Sequence, residues 1–510
     1  MSPYGSLLVL CALGVAACGP KTYTRRLVPA GTLAATQPAP SFLKAHMRNG
    51  DVVVFSSYQV GEDGRVRGPA RRLDANRAVI EDGDLAIAID SVAVFEADRI
   101  ATSGAVAPLA LLTVATAGVA VFCLTNTKAC FGSCPTFYDG SSDSAYLLAE
   151  GFSASIAPSL EAADLDHLYR LRPRGRTVEI TLRNEAPETH VIRYAHLIAA
   201  RRAPGTRVFA EPDGRFRAAE ALLSPTACAS AGGSCLATVR AVDRNEWRSE
   251  ADSTDLAARE VLDVSFTVPD SGEYGLVIGS RQSLLPTYLL YQGLAYLGSR
   301  AGEWLAALER GNANARAASG GLARVLGGIE VLIRDSGGTR EVASVTESGP
   351  LAVDYKVIPL GRQRPGSLAL ALRLTRGMWR IEYLALARLG ESPLTLRIGP
   401  TAVLDRNGRP DADALRRLRD TVSALTTTRG DVYTLRFELP GHAEQYELFL
   451  ASRGYYLEWM RSEWLAEEDP LRAARMFLDP RGMLRELAPA FKRVEPVLED
   501  AFWRSRYVQH

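Results

Sequence analysis

"TVEITLRNE", Thr177–Glu185, decides how this chain is read. Val178, Ile180 and Leu182 alternate with Glu179, Thr181 and Arg183. A period of two puts the apolar set on one face of an extended strand and the polar set on the other. The segment therefore predicts one strand of a sheet with a single buried face. Working outward, "HVIRYAHLIAARR" (His190–Arg202) and "VLDVSFTVP" (Val261–Pro269) keep the same habit. "PDSGEYGLVIG" (Pro269–Gly279) reads as a turn followed by a last strand. Strands spaced by Asp-Gly turns indicate a β-sandwich-like domain over residues 128–281.

The style repeats further on. "GGIEVLIRD" (Gly327–Asp335), "LAVDYKVIPL" (Leu351–Leu360), "SLALALRLTRGMWRIEYLALARL" (Ser367–Leu389), "PLTLRIG" (Pro393–Gly399) and "DVYTLRFELP" (Asp431–Pro440) are strands. They predict a second sandwich or jelly-roll-like domain over 324–450. Nearer the N-terminus, "DVVVFSS" (Asp51–Ser57) and "LAIAIDSVAVFEAD" (Leu85–Asp98) are separated by turns at Gly61–Gly64 and Glu81–Asp84. This pattern predicts a small barrel-like β module over 43–100. From Tyr455 the period changes to helical, with breaks at Pro470, Pro480 and Pro496, so 451–510 reads as a helical C-terminal region. The fold class is mainly β with added helices, α+β.

Two uncharged runs stand out. Ala105–Leu124, within an apolar helix over 101–127, is long enough to span a membrane. Its six alanines make insertion only weakly favourable, which favours a buried core helix; a span stays open. The second run, Gln282–Ser299, opens a helical segment over 282–323. The two could bury each other.

The chain has 510 residues, 47% of them apolar, and a net charge of +1. This supports sizeable cores and offers nothing for nucleic acid. The first residues, "MSPYGSLLVLCALGVAACGP", carry a short apolar run, Leu7–Ala17, that is too short to span. Val15-Ala16-Ala17-Cys18 resembles the lipobox of bacterial lipoproteins, although Lys and Arg are missing before the apolar run. The resemblance implies removal of residues 1–17 as a signal peptide and lipidation of Cys18. It also implies a place in the cell envelope, and Gly19 in place of Asp implies the outer membrane. Residues 18–42, rich in Pro, Ala and Thr, read as a flexible tether.

An exported chain meets oxidising conditions, so cysteines are expected in pairs. Cys228–Cys235 would close a turn-like loop, and Cys130–Cys134 can close because Gly132 allows the bend. Cys123 is then the odd one. Zinc wants four ligands and haem attachment wants C-x-x-C-H; neither pattern is present. "CFGSCPTFY" resembles the opening of a small uncharacterised bacterial domain family, which implies no chemistry.

Chemistry-bearing patterns are sparse. In "ETHVIRYAH" a regular strand would put Glu188, His190 and His196 on one face, where structural histidines are the simpler reading over zinc or acid–base work. Asp405, Asn407, Asp411 and Asp413 cluster in "LDRNGRPDADAL", but a turn and a capped helix explain them without calcium. Trp379 and Tyr383 lie four apart and would share a strand face. The stretch around them, "LRLTRGMWRIEYLAL", loosely resembles jelly-roll domains that bind sugars, which implies a possible ligand platform; core packing is the simpler reading. No catalytic motif, metal site or cofactor site is legible. The sequence thus suggests a non-enzymatic binding or scaffold protein, anchored to the membrane through lipid and meeting a protein or glycan partner. The alternative is a glycan-binding or glycan-active envelope protein.

Overall fold

In the computed structural model of the chain the described residues are 23–35, 42–100, 134–140, 146–173, 175–335, 337–346, 349–420 and 422–505. Cys18, Cys123, Cys130 and the run 105–124 lie outside them. The described residues form two compact units. Residues up to 100 together with 299–303 make the first, and the remainder makes the second.

The first unit is a seven-stranded antiparallel sheet. Its order is Tyr23–Pro29, Val92–Ile100, Leu43–Met47, Val52–Phe55, Arg65–Leu73 and Gln59–Val60, with Val79–Ala88 also paired to Arg65–Leu73. Val28, Leu43, Val53, Phe55, Val66 and Phe95 pack as its core. The expected tether is corrected here. Tyr23–Pro29 pairs along its length with Val92–Ile100, from Tyr23↔Ile100 to Pro29↔Val94, and buries Leu27 and Val28. Leu27 and Val28 are adjacent, so their burial leaves no period of two in the sequence.

The second unit holds four sheets. Two face each other as a sandwich. One runs Ala402–Leu404, Val432–Glu438, Thr177–Arg183, Thr136–Asp139, Leu147–Glu150. The other runs Ala162–His167, Tyr446–Glu458, Glu188–Arg201, Thr395–Ile398, with Leu425–Thr427 on Glu188–Arg201. Val178, Ile180 and Leu182 enter their shared core beside Phe137, Leu435 and Phe437, as the alternation predicted.

The third sheet closes on itself. Phe216–Leu223, Arg207–Ala210, Asp354–Gln363, Gly272–Gln282 and Trp379–Leu389 follow in order, and Trp379–Leu389 pairs back to Phe216–Leu223. This small five-stranded barrel is filled by Phe209, Val277, Tyr355, Val357 and Ala385. A six-stranded sheet centred on Arg259–Val268 and Gly366–Thr375 is the fourth.

The β-rich class therefore stands, but the two sandwich domains expected over 128–281 and 324–450 are not consecutive. Thr177–Arg183 pairs with Val432–Glu438, and Gly272–Gln282 pairs with both Asp354–Gln363 and Trp379–Leu389. Strands from both stretches interleave in every sheet of the sandwich and barrel. Alternation shows that a face is buried; it does not show which strand buries it.

Cys228 and Cys235 form the expected disulfide, closing the hairpin of Ala227–Ser230 and Gly233–Ser234. Cys134 is buried, and its expected partner Cys130 falls outside the described residues.

The helical segment after residue 282 comprises Leu285–Leu297, Ala301–Glu309 and Ala313–Leu326. The C-terminal region differs from expectation in two respects. The strand Tyr446–Glu458 runs past 451, because it pairs along its length with Glu188–Arg201. Pro496 does not break the last helix, which runs Pro480–Ser505 through Pro489 and Pro496. An interior proline costs about 3 kcal/mol. Met483, Leu484, Leu487, Phe491, Val494, Leu498 and Phe502 are all buried, which offsets it. Pro470 does open a helix, capped by Asp469, whose carboxylate accepts from the Leu471 and Arg472 N–H groups. Among the described residues no helix is long and apolar enough to cross a membrane.

Candidate functional site: an apolar cavity beside a buried charged cluster

The helix Leu285–Leu297 is apolar on nearly every side, as a helix buried among other elements must be. Pro286 sits in its first turn, where its missing N–H costs nothing, and Gly298 ends it at φ +52°. Tyr288 meets Phe491 of the last helix, ring centroids 5.1 Å apart. A different stripe, Pro286, Leu289, Leu290, Gly293, Leu294 and Leu297, lines a cavity of about 470 Å³. These positions recur at three and four residues, so they are one helix face. Gly293 leaves its part of the wall low: a Cβ there would only just touch Met476.

The remaining walls come from every part of the second unit. Ile156 and Leu160 stand on the sandwich side, Leu322 and Leu326 on the helix Ala313–Leu326, and Phe477 on Pro470–Leu478. Trp304 stacks on Phe477 at 6.2 Å. Few polar groups interrupt this lining.

Ser153, Gln282, Thr287, Thr346 and Tyr456 are among them, and two more, Glu458 and Tyr291, tie the cavity to a buried charged cluster. The Tyr291 hydroxyl donates to Glu458 Oε1 at 2.5 Å, and Arg461 Nη2 donates to Oε2 at 2.8 Å. The Arg461 guanidinium also lies over the Tyr291 ring, 5.0 Å from its centroid. Glu188 is the cross-strand partner of Glu458, and His190 Nε2 is 3.2 Å from Glu188 Oε2. All five side chains are buried. Burial pushes the Tyr291 phenol well above its ordinary value, and the adjacent Glu458 pushes it further. Burial alone would pull Arg461 down; Tyr291, Glu458 and Glu188 together reverse this and raise it. Both oxygens of Glu458 are thus engaged in holding Tyr291 and Arg461.

Glu188 and His190 come together as the sequence suggested, but His196 leaves them. The pairing of Glu188–Arg201 with Tyr446–Glu458 shifts register between Ile192 and Tyr194, so the alternation that joined the three is interrupted. His196 stacks on Tyr194 at 4.9 Å and accepts from Arg397 Nε at 2.6 Å. Burial, then Arg397, lowers its pKa to about 4.

Trp379 and Tyr383 separate for the same reason. Their strand shifts register opposite Gly279 and Ser280, leaving Glu382 as the extra residue. Trp379 is 1% exposed, so it offers no surface to a sugar. Tyr383 is half-buried in the barrel's core cluster. In the acidic cluster, Asp405 accepts from the N–H groups of Asn407 and Arg409, Asp411 caps the helix Ala412–Arg419, and Asp413 pairs with Arg416 and Arg417. Among the described residues no group of three or more His, Cys, Asp or Glu is placed to hold a metal ion.

Tyr291, Glu458 and Arg461 escaped the sequence reading. Their only trace was two opposite charges three apart in the aromatic run "YYLEWMRSEW" (Tyr455–Trp464).

No protein-family model and no curated protein matches the chain. Among solved structures, a GH31 alpha-xylosidase from Xanthomonas citri aligns over 85% of this chain at 9% identity, with a TM-score of 0.16. This chain spans 38% of that protein's length.

Proposed function

We propose that this chain is a cell-envelope lipoprotein, anchored through Cys18 at the outer membrane, which binds an apolar ligand in the cavity without converting it. One observation carries the binding: a broad face of the helix Leu285–Leu297, mostly apolar, borders a cavity of about 470 Å³. The volume lies within the ~300–1,000 Å³ of small-molecule sites, and an apolar wall with few polar groups is the usual composition of such sites. The ligand class is an aliphatic or acyl-chain molecule, matched to the mostly apolar wall. Support for a non-enzymatic role comes from Glu458, whose two oxygens are already occupied by Tyr291 and Arg461.

Gly293→Leu tests the cavity. Its side chain would enter the space while relieving a mid-helix glycine, a gain of ~0.5–1 kcal/mol. Expected is at least a tenfold loss of affinity for a fluorescent fatty acid, by the arithmetic of ~1.4 kcal/mol per decade, with melting unchanged or raised. Unchanged probe affinity in a folded variant would remove the cavity from the function. Anchoring is tested separately. Cys18→Ala should abolish labelling by a clickable palmitate and release the chain from the membrane fraction; equal labelling of parent and variant rejects the lipoprotein reading.

A further inference from the structure

A second cleft, of about 470 Å³, is polar and lies at one mouth of the five-stranded barrel. Tyr169 and Tyr383 belong both to its lining and to the barrel's core cluster. Around them stand four arginines: Arg170, Arg172, Arg240 and Arg244. Arg170 is neutralised from beneath by Glu382. Arg172 donates to the main-chain carbonyls of Tyr169 at 2.6 Å and Leu171 at 3.0 Å. Arg244 lies over the Tyr146 ring at 4.7 Å. Among the described residues, Arg172, Arg240 and Arg244 have no carboxylate within ion-pair distance. Asp243 is the one acid in the lining, and its oxygens accept from the backbone and side chain of Asn245, both at 3.0 Å.

Two further facts point to a ligand. Arg244 holds φ +73°, a conformation unfavourable for a non-glycine residue that gathers at binding sites. It is kept there by its own N–H, which donates to Glu382 Oε1 at 2.5 Å. Burial, then the neighbouring Arg207, lowers the Arg172 pKa, and Glu447 offsets this only in part, so a further anion beside Arg172 would be favoured. Tyr383 is raised to about 12, first by burial and then by Tyr169, so its hydroxyl remains a donor at neutral pH.

We infer that this cleft binds a phosphoryl group, free or esterified, between Arg172, Arg240 and Arg244. Three unneutralised guanidinium forks exceed what one carboxylate can use, and they match the several acceptor oxygens and double charge of a phosphate. The site is separate from the apolar cavity and shares none of its lining residues.

Calorimetric titration of the full-length protein in detergent tests the inference, with inorganic phosphate, glycerol 3-phosphate and acetate as probes. Both phosphates should bind, and acetate about tenfold more weakly or not at all. Tighter binding of glycerol 3-phosphate assigns the site to an esterified headgroup; equal binding assigns it to the free anion. Arg240→Gln, which removes an exposed side chain, should weaken phosphate about tenfold, the loss of one charge-assisted contact. Asp243→Asn should tighten it. A folded Arg240→Gln protein with unchanged phosphate affinity, acetate binding equal to phosphate, or no heat with either phosphate at millimolar concentration would overturn the inference.

Discussion

Replacing Arg461 by methionine is expected to destabilise the protein by about 3–5 kcal/mol, the loss that follows when one partner of a buried ion pair is removed. Arg461 is the cation facing Glu458, and Glu188 sits opposite Glu458 across the strand pair. Without it, two buried carboxylates would face each other across the strand pair with their shared cation removed. Methionine keeps much of the packing volume against Tyr291 and Trp464, so the loss reports charge more than cavity. Adding Glu458→Gln to Arg461→Met should recover more than half of it, because the two changes share one interaction. Urea unfolding at pH 7 measures all three variants. An Arg461→Met protein within 1 kcal/mol of the parent would show that the cluster is not energetically coupled.

The second large effect depends on pH. Glu150 is 2% exposed and is pushed up to about 7, chiefly by burial. Hydrogen bonds from the Leu351 N–H, at 2.7 Å, and from Cys134 oppose this only in part. In the unfolded chain the same carboxyl titrates near 4.5. Between these values the unfolded chain releases its proton while the folded protein keeps it. Stability from this group is therefore complete below about pH 4.5, falls as pH rises towards about 7, and is level above. The window corresponds to ~3 kcal/mol. Glu382 is also raised to about 7 by burial, whereas Glu447 is lowered to about 2: burial raises it, but hydrogen bonds from His167 and Arg207 outweigh that. The difference between parent and Glu150→Gln cancels such groups. That difference should shift by ~3 kcal/mol in favour of the glutamine variant between pH 4 and pH 8. A constant difference across this range would mean that Glu150 is solvated in solution.

Much of the local structure was legible. Val178, Ile180 and Leu182 announced their buried face, and Asp411 announced its helix. Cys228 and Cys235 announced their bond because seven residues of separation leave few other geometries. The apolar run at Leu285–Leu297 announced a buried helix.

What stayed hidden was long-range. Glu458 and Tyr291 are far apart in sequence and meet because one strand and one helix pack together. The arginines of the barrel mouth come from two loops with no shared motif. The separation of His196 from His190, and of Tyr383 from Trp379, required register shifts that only pairing with a neighbour imposes.

The sequence by itself determined the strongly periodic elements, such as Thr177–Arg183 and the buried helix Leu285–Leu297, because side-chain period is a local property of the backbone. The tertiary structure alone decided which strands pair, where the sheet closes into a barrel, and which helix face is left beside empty space. Those outcomes depend on packing among residues hundreds of positions apart, and burial of apolar surface, which drives them, is non-directional and names no partner.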